Sequence, residues 1–572
     1  MEILPDYNVV ESDVLVIGAG SGSMAAINAC DQKADVVLID KYIFGKSGST
    51  NSSFGIVTSY VKPPDSPEAL LKDLVRSGEY LNNQELVEIF VNEISEGKVL
   101  QLEKLGVVFD RTPDGNYVLY QFAGHSYPRL VRATWNNAPT IWKTVVSEVL
   151  RRGIRVMNEV MVTRLLTNGG RVVGATGLNV RTGEFIVFRA KSTILATGGA
   201  TQLYGTGSIS AIATTPIHVT GDGYAMAYRA GAELMDMEFT QYIPAFVYPN
   251  ILRGINISEP KAFGPETKLY NIKGERFMSR YDPEHMEATT KDIVCRAMIH
   301  EVREGRGTEH GGILMDLTHI DKKSMLYDYM ISQTRRAGID MSKDYLEAAP
   351  SAHYTMGGVR IGTRHESNLP GLYAVAEVAS GLHGANRVAG CSVADIIVFG
   401  ARCGRCAAED AKTVDRPSID FEQADEEYER IYGFLERRNA DGIRPHIIKR
   451  KIQNLTWENI GVVKTDKGLA RAIAEIQRIR EEDIPRMYVA SDTRRYNQDW
   501  VYAIETINML DVAEMMARAS LLRKETRGAH DMEDHPLKDD KNWLKNIIMQ
   551  NIAGKMTLTP RDVKLTKLKP GE

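Results

Sequence analysis

Ser12-Asp-Val-Leu-Val-Ile-Gly-Ala-Gly-Ser-Gly-Ser-Met-Ala-Ala-Ile-Asn-Ala29 is the stretch that decides the fold. Asp13 to Ile17 has the apolar run of a short parallel strand buried on both faces, and the small residues from Ala25 onward predict a helix packed close against it. The turn between them is glycine-rich. Gly18 permits the tight turn, and Gly20 lets the backbone approach a pyrophosphate held by the N–H groups and positive dipole end of the helix. Ser21 and Gly22 complete the turn, and Ser23 replaces the third glycine of the dinucleotide fingerprint, which requires helix and strand to stand slightly further apart. A second strand, Asp35-Val-Val-Leu-Ile39, ends in Asp40-Lys41, and Asp40 lies about twenty residues beyond Gly20, where an acid meets ribose hydroxyls. Strand, helix and acid together predict dinucleotide binding.

The chain has 572 residues, enough for roughly three to four domains of ordinary size. Apolar content of 43%, charged content of 25% and a net charge of -4 are those of an ordinary globular protein and give no cue for nucleic acid or a membrane surface. No apolar run long enough to span a bilayer and no secretory h-region are found, so the expectation is a cytoplasmic protein that meets a membrane only through partner subunits. Five cysteines do not make a disulfide framework in so long a chain, and no His/Cys/carboxylate set has metal spacing. Cys403-Gly-Arg-Cys406 is a single CxxC within a small-residue helix, with no second pair to build a redox or metal site.

Phe44-Gly-Lys-Ser-Gly-Ser-Thr-Asn-Ser-Ser-Phe-Gly55 alternates hydroxyls and glycines in a loop too polar for a core strand. Ser47, Gly48, Ser49, Thr50 and Gly55 are its candidates for contact with a nucleotide's phosphates and ring edge, against the plainer reading of a surface loop. Residues 67–105 have helical spacing, and 154–188 alternate as a strand meander turning at Asn168-Gly-Gly170. Ser192-Thr-Ile-Leu-Ala-Thr-Gly-Gly199 is a strand entering a turn, where Ala196, Thr197 and Gly198 return the chain to the nucleotide. Thr215-Pro-Ile-His-Val-Thr-Gly-Asp-Gly223 leads to a short helix. Further on, Gly371–Ala379 is a strand closing on Glu377, and Gly384–Val393 opens an alanine-rich helix at Ser392 and Val393. His125 is read as a satisfied loop histidine or a residue at the cleft mouth. The nucleotide domain is left near Gly231 and re-entered near Pro350, which implies an inserted cap. The expected architecture is α/β: a Rossmann-like nucleotide-binding domain (1–235 and 351–411), an α+β cap (236–350), a helical domain (412–538) and a tail (539–572) free to lie on a neighbouring subunit.

The blocks Gly18–Ser23, Thr197-Gly-Gly199, Thr220-Gly-Asp-Gly223, Gly274-Glu-Arg-Phe-Met278, Arg303-Glu-Gly-Arg-Gly307, His353-Tyr-Thr-Met-Gly-Gly358, His383-Gly-Ala-Asn-Arg387 and Arg527-Gly-Ala-His530 occur in one order along the chain. In this the sequence resembles the flavoprotein subunits of succinate dehydrogenase and fumarate reductase. The resemblance implies FAD, two-electron chemistry at flavin N5, and an iron–sulfur partner that relays electrons singly. It also implies that Asp40, Asp222 and Glu377 lie at the FAD, with Asp40 and Glu377 on its ribose and adenine-side hydroxyls. Covalent members of the family bond the flavin ring through a histidine in Arg-Ser-His-Thr; here that stretch is Lys46-Ser-Gly-Ser49. Gly48 has no side chain to make the bond, so the expected FAD is non-covalent.

The substrate end departs from the family as well. A family His-Pro-Thr element is replaced in Gln241-Tyr-Ile-Pro-Ala245, and Ile243 and Ala245 offer a carboxylate no side-chain donor. His353 and Arg387 match the pair that clamps the other carboxylate. The family's proton-donating arginine is replaced by Lys291, followed by Asp292, with Arg296 matching a family arginine one turn later; the plainer reading of Lys291 is a solvated helix-start lysine. The implied function is an FAD-dependent oxidoreductase acting on a C–C bond next to a carboxylate or thioester of a small anionic substrate other than fumarate. Two alternatives stay open: an electron-transfer flavoprotein within a multi-subunit complex, and an adenylylsulfate-reductase-like enzyme, suggested by the Tyr-Ile-Pro segment and Trp135-Asn-Asn137.

Overall fold

The computed structural model describes residues 7–571 apart from 54, 61, 134–137, 206–214, 258–259, 261–265, 321–326 and 438–440, so Trp135-Asn-Asn137 lies outside the described residues. Its organising sheet is built on β1 (Asn8–Ile17) and β2 (Val36–Ile39), which pair in parallel from Val14↔Val36 to Ile17↔Ile39. Val14, Leu15 and Val16 are wholly buried, as a strand covered on both faces must be. On its other side β1 pairs in parallel with Phe185–Leu195. That long strand serves two neighbours. Phe185 to Arg189 pair antiparallel with the meander strand Arg171–Asn179, while Thr193 to Leu195 pair in parallel with Leu372–Ala374, where the chain returns from the cap. The ends of β1 and Phe185–Leu195 are thereby brought side by side.

The first helix, α1 (Ala19–Asp31), begins six residues earlier than its apolar spacing suggests. Gly18 caps it at φ 98°, a left-handed value that glycine adopts without strain, so the glycine turn is the helix's own first turn. The residue that allows close packing is Gly22, where a Cβ would stand 2.6 Å from Val16 Cγ1. Ser23 needs no wider gap, because its Oγ donates back to the Ala19 carbonyl at 2.6 Å. The helix Cys391–Ala411 crosses α1 with Gly404 against it; a Cβ there would lie 2.0 Å from the Ala25 carbonyl oxygen. Cys403 and Cys406 are buried along that helix.

Between the two passes of the nucleotide domain stands an antiparallel sheet in the order Thr240–Tyr248, Leu346–Thr355, Ile313–Asp316, Lys268–Tyr270. The helix Lys291–Glu301 packs on it around a separate core that includes Phe246, Phe277, Met298 and Ile313. Helices Pro445–Ile460, Asp466–Arg478 and Gln498–Leu522 form the helical part, the last buried along most of its length. The tail packs back on its own chain. Lys545–Ile552 and Lys555–Asp562 form a hairpin whose first strand pairs with Leu234–Met235, because Ile547, Ile548 and Met549 need cover and find it on their own chain. The buried Arg523 fastens the hairpin's start through the carbonyls of Trp543 and Lys545, balanced by Glu238 and Glu525. No helix among the described residues is long and apolar enough to cross a membrane.

Candidate active site

A cavity of about 1840 Å³, counting its open mouth, runs from the Gly18–Ser21 turn to the cap and is lined at its far end by Lys291, His353 and Arg387. At the near end the backbone is bare for a reason. A Cβ on Gly18 would meet the Ala196 carbonyl oxygen at 2.3 Å, and one on Gly20 would meet Thr50 Oγ1 at 2.9 Å. The free N-terminus of α1, with no side-chain cap, faces this space and supplies N–H donors and positive partial charge to an anion.

Asp40 closes β2 at the cavity wall. Its carboxylate accepts from Ser47 Oγ at 2.8 and 2.9 Å and from the Tyr42 N–H at 3.0 Å, which fixes the start of the polar loop. Glu377 reaches the cavity from the short helix after Leu372–Ala374. Its Oε1 accepts the Thr355 N–H at 3.0 Å, and only glycine fits at 199, where a Cβ would stand 2.0 Å from that oxygen. Burial pushes the Glu377 carboxyl up to about 7. Lys41 bridges Asp222 at 2.8 Å and Glu505 at 2.5 Å, and Lys449 pairs with Glu505 at 2.7 Å, so the helical part is ionically tied to the cavity wall.

At the cap end Arg387 is 4% exposed and its guanidinium lies 4.6 Å from the centre of the Tyr354 ring. Its hydrogen-bond partners are neutral: Gln241 Oε1 at 2.9 Å, the Val388 carbonyl and Ser392 Oγ, with Nε left without a partner among the described residues. Gln241 is held in turn. It donates to Asn386 Oδ1 at 2.7 Å, Asn386 donates to Asp292 at 2.9 Å, and Arg296 donates to the other oxygen of Asp292 at 3.2 Å. This chain of four bonds sets the angle of Arg387. His353 is kept neutral by burial first, and then by the positive charges of Arg387 and Lys291.

Of the residues singled out in the sequence, Gly18, Gly20, Ser21, Asp40, Lys41, Ser47, Gly48, Ser49, Thr50, Ala196, Thr197, Gly198, Asp222, Glu377, Ser392 and Val393 line the one cavity, together with Lys291, His353 and Arg387. Four are not among its lining. Gly22 faces Val16 and Ser23 bonds its own helix. Gly55 leads into the strand Ile56–Thr58. Arg296 points away from the cavity into an ion pair with Asp292 and, at 3.9 Å, with Asp531; five residues after Lys291 it stands about 140° round the helix, on the side that faces Val462 and Ala529. His125 is a satisfied loop histidine outside the lining, its Nε2 2.9 Å from the Ala389 carbonyl oxygen. The sequence reading missed His218, Tyr354, Met161, Phe122 and Asn256, all of which line the cavity.

Residues 13–393 match the family model described as FAD binding domain, and residues 449–572 match that described as Fumarate reductase flavoprotein C-term. The chain belongs to the fumarate reductase/succinate dehydrogenase flavoprotein family. It is 36% identical over 556 residues to a fumarate reductase (CoM/CoB) subunit of Methanothermobacter marburgensis, covering 95% of this chain and 98% of that one. It is 31% identical over 593 residues to the fumarate reductase flavoprotein subunit of Escherichia coli, covering 98% and 95% respectively. A solved Escherichia coli quinol fumarate reductase flavoprotein superposes with a TM-score of 0.90 at 31% identity, covering 99% of both chains. Adenosine-5-phosphosulfate reductase, at 21% identity and a TM-score of 0.81, shares the fold alone.

FAD is therefore the cofactor, and the residues present fit it: a bare helix N-terminus, the Asp40 and Glu377 carboxyls on the cavity wall, and a buried Thr197 Oγ1 that has no partner among the described residues. The Glu377 carboxyl predicts a pH effect. Below about pH 7 it is protonated in the cofactor-free protein. Cofactor hydroxyls that donate to its ionised form must then displace that proton. FAD affinity should hold above pH 7 and fall by up to about tenfold per pH unit below it. Titration of apoprotein with FAD at several pH values checks this, and Glu377→Gln should flatten the slope.

Proposed function

We propose that this flavoprotein oxidises or reduces a C–C bond beside one carboxylate or thioester of a small anionic substrate, and that fumarate is not its preferred substrate. The observation that carries the reading is Arg387: a buried cation lining the flavin cavity, whose hydrogen bonds all go to neutral groups while the Glu377 and Asp395 carboxyls feel its charge without bonding it, has its guanidinium fork left for an anion. Bound FAD supplies two-electron hydride chemistry at N5. Arg387 binds and orients the acid group through a guanidinium whose plane is set by Tyr354 and Gln241. His353, neutral, offers an imidazole hydrogen bond to the same group without adding charge. Lys291, 5% exposed at the first position of its helix, holds a proton for the carbon next to the acid.

The far wall supports a substrate whose other end is uncharged. Ile243, Phe122 and Leu130 make it largely apolar; Asn256, bridged to Ala245, adds one neutral amide there, which compensates a second carboxylate for its lost water less well than a charged donor. A Kd or KM panel of unsaturated mono- and dicarboxylates, read by oxidation of reduced dye, is expected to favour monoacids. An Ile243→His/Ala245→Thr double variant should shift the preference toward fumarate by about tenfold or more. If no acid oxidises the reduced protein, the electron-transfer reading replaces this one.

The relatives named above are subunits of larger enzymes. We infer an iron–sulfur partner for this chain too. Its own cysteines support no cluster, since four of the five are buried and no His/Cys/Asp/Glu group among the described residues has metal-holding geometry. In this reading single-electron relay falls to that partner.

A further inference from the structure

Gly48 stands where covalent family members carry the flavin-bonded histidine, and it has φ 81° with nothing within 4 Å of an ideal Cβ. The loop thus presents bare backbone beside open space. An imidazole nevertheless reaches it from another segment. His218, in the stretch between Thr215 and Gly223, lines the same cavity and accepts the Gly48 N–H on Nε2 at 3.1 Å. A ring nitrogen that accepts carries no proton, so the hydrogen of the neutral ring is on Nδ1. Burial, helped by the Lys41 charge, lowers the His218 pKa to about 4, which keeps Nε2 an acceptor at neutral pH. The ring is braced by Tyr42, with centroids 4.5 Å apart and planes at 39°.

The loop is therefore pinned at two successive residues by groups outside it. Ser47 is tied to Asp40 at the end of β2, and Gly48 is tied to His218. The next residues, Ser49 to Ser52, form a turn of helix whose Thr50 hydroxyl stands over Gly20 in the phosphate-binding turn. The segment from Ser47 to Thr50 lines the cavity throughout, so anything that lets it swing outward opens the side of the cofactor.

We propose that His218 is a positioning residue that latches the Ser47–Thr50 loop over bound FAD and sets how slowly the cofactor leaves. It replaces, by one hydrogen bond from a different part of the chain, the retention that covalent relatives obtain from a bond at position 48. The inference rests on FAD as the occupant and on none of the substrate reading, so a failure of either leaves the other standing.

The test is FAD release from the holoprotein at pH 7, followed as the gain of free-flavin fluorescence after a rapid, large dilution. His218→Ala should release FAD about tenfold faster, the size expected for loss of one neutral hydrogen bond. His218→Phe keeps the ring against Tyr42 but removes the acceptor, and should release equally fast; it decides the matter if the alanine variant fails to fold. His218→Gln, whose amide oxygen accepts, should recover part of the retention. Ile217→Ala, at a neighbouring side chain that is 64% exposed, should match wild type. Release from both His218→Ala and His218→Phe within twofold of wild type would overturn the proposal. So would FAD that stays with the polypeptide after acid denaturation and maps by mass to the His218 peptide, since the attachment would then be covalent.

Discussion

Arg387→Ala is expected to lower kcat/KM for the preferred acid by about two to four decades, the range for removing one partner of a buried charge pair worth about 3–5 kcal/mol. FAD should still bind through the glycine turn and the Asp40 wall, with affinity at neutral pH somewhat lowered because the Arg387 charge favours the ionised Glu377 carboxyl and its guanidinium bonds Ser392 Oγ. Arg387→Lys should recover only a small part. A lysine ammonium keeps the charge but loses the fork, the stacking on Tyr354 and the bond to Gln241 Oε1. Steady-state oxidation of reduced dye across an acid panel makes the measurement. An alanine variant within threefold of wild type would remove the carboxylate clamp from the account.

Lys291→Met should cost about 10²–10⁴ in kcat, the usual contribution of a positioned general acid, with a much smaller change in KM. Methionine keeps the length and apolar stem of a side chain that is 5% exposed, so the helix start and the cap core should be undisturbed. Both oxygens of the neighbouring Asp292 are engaged, one with Arg296 and one with Asn386, and Arg296 is turned away from the cavity. Arg296→Gln should therefore act indirectly, by loosening the bonds that orient Arg387, and raise KM more than it lowers kcat. Equal kcat for Lys291→Met and wild type, with a normal solvent isotope effect, would assign the proton to another group.

Where the local chain dictates geometry, the site is readable from residues alone. β1, the glycine turn and Asp40 follow from one strand–turn–helix–strand unit, and Glu377 follows from a strand that must end beside it. Ile243 is readable as a missing donor through the resemblance alone, since it stands in place of the family's His-Pro-Thr element, and it does line the cavity. What fails to show depends on distant partners. Arg296 matches a motif, but its direction is decided by Asp292 four residues earlier and by Asp531 from another part of the chain. His218 occupies a turn that no periodicity describes, and its meaning comes from Gly48, 170 residues away. The tail hairpin is hidden for the same reason: Ile547 to Met549 look like a short apolar patch until Leu234–Met235 is placed beside them. The start of α1 is misjudged on composition, since glycine and serine are poor helix formers and only burial against Val16 and the Cys391–Ala411 helix makes them acceptable there.

The hairpin of residues 545–562 also governs the order of events at the ribosome. Leu234–Met235 is sandwiched between Gly358–Arg360 on one side and Ile548–Met549 on the other, and the Gln84 side chain takes up the N–H groups of Lys567 and Leu568. Segments synthesised early thus wait, with one edge bare, for segments synthesised late. Nascent chains stalled anywhere before residue 545 should be protease-sensitive around Leu234, although the FAD cavity itself is lined by residues already synthesised.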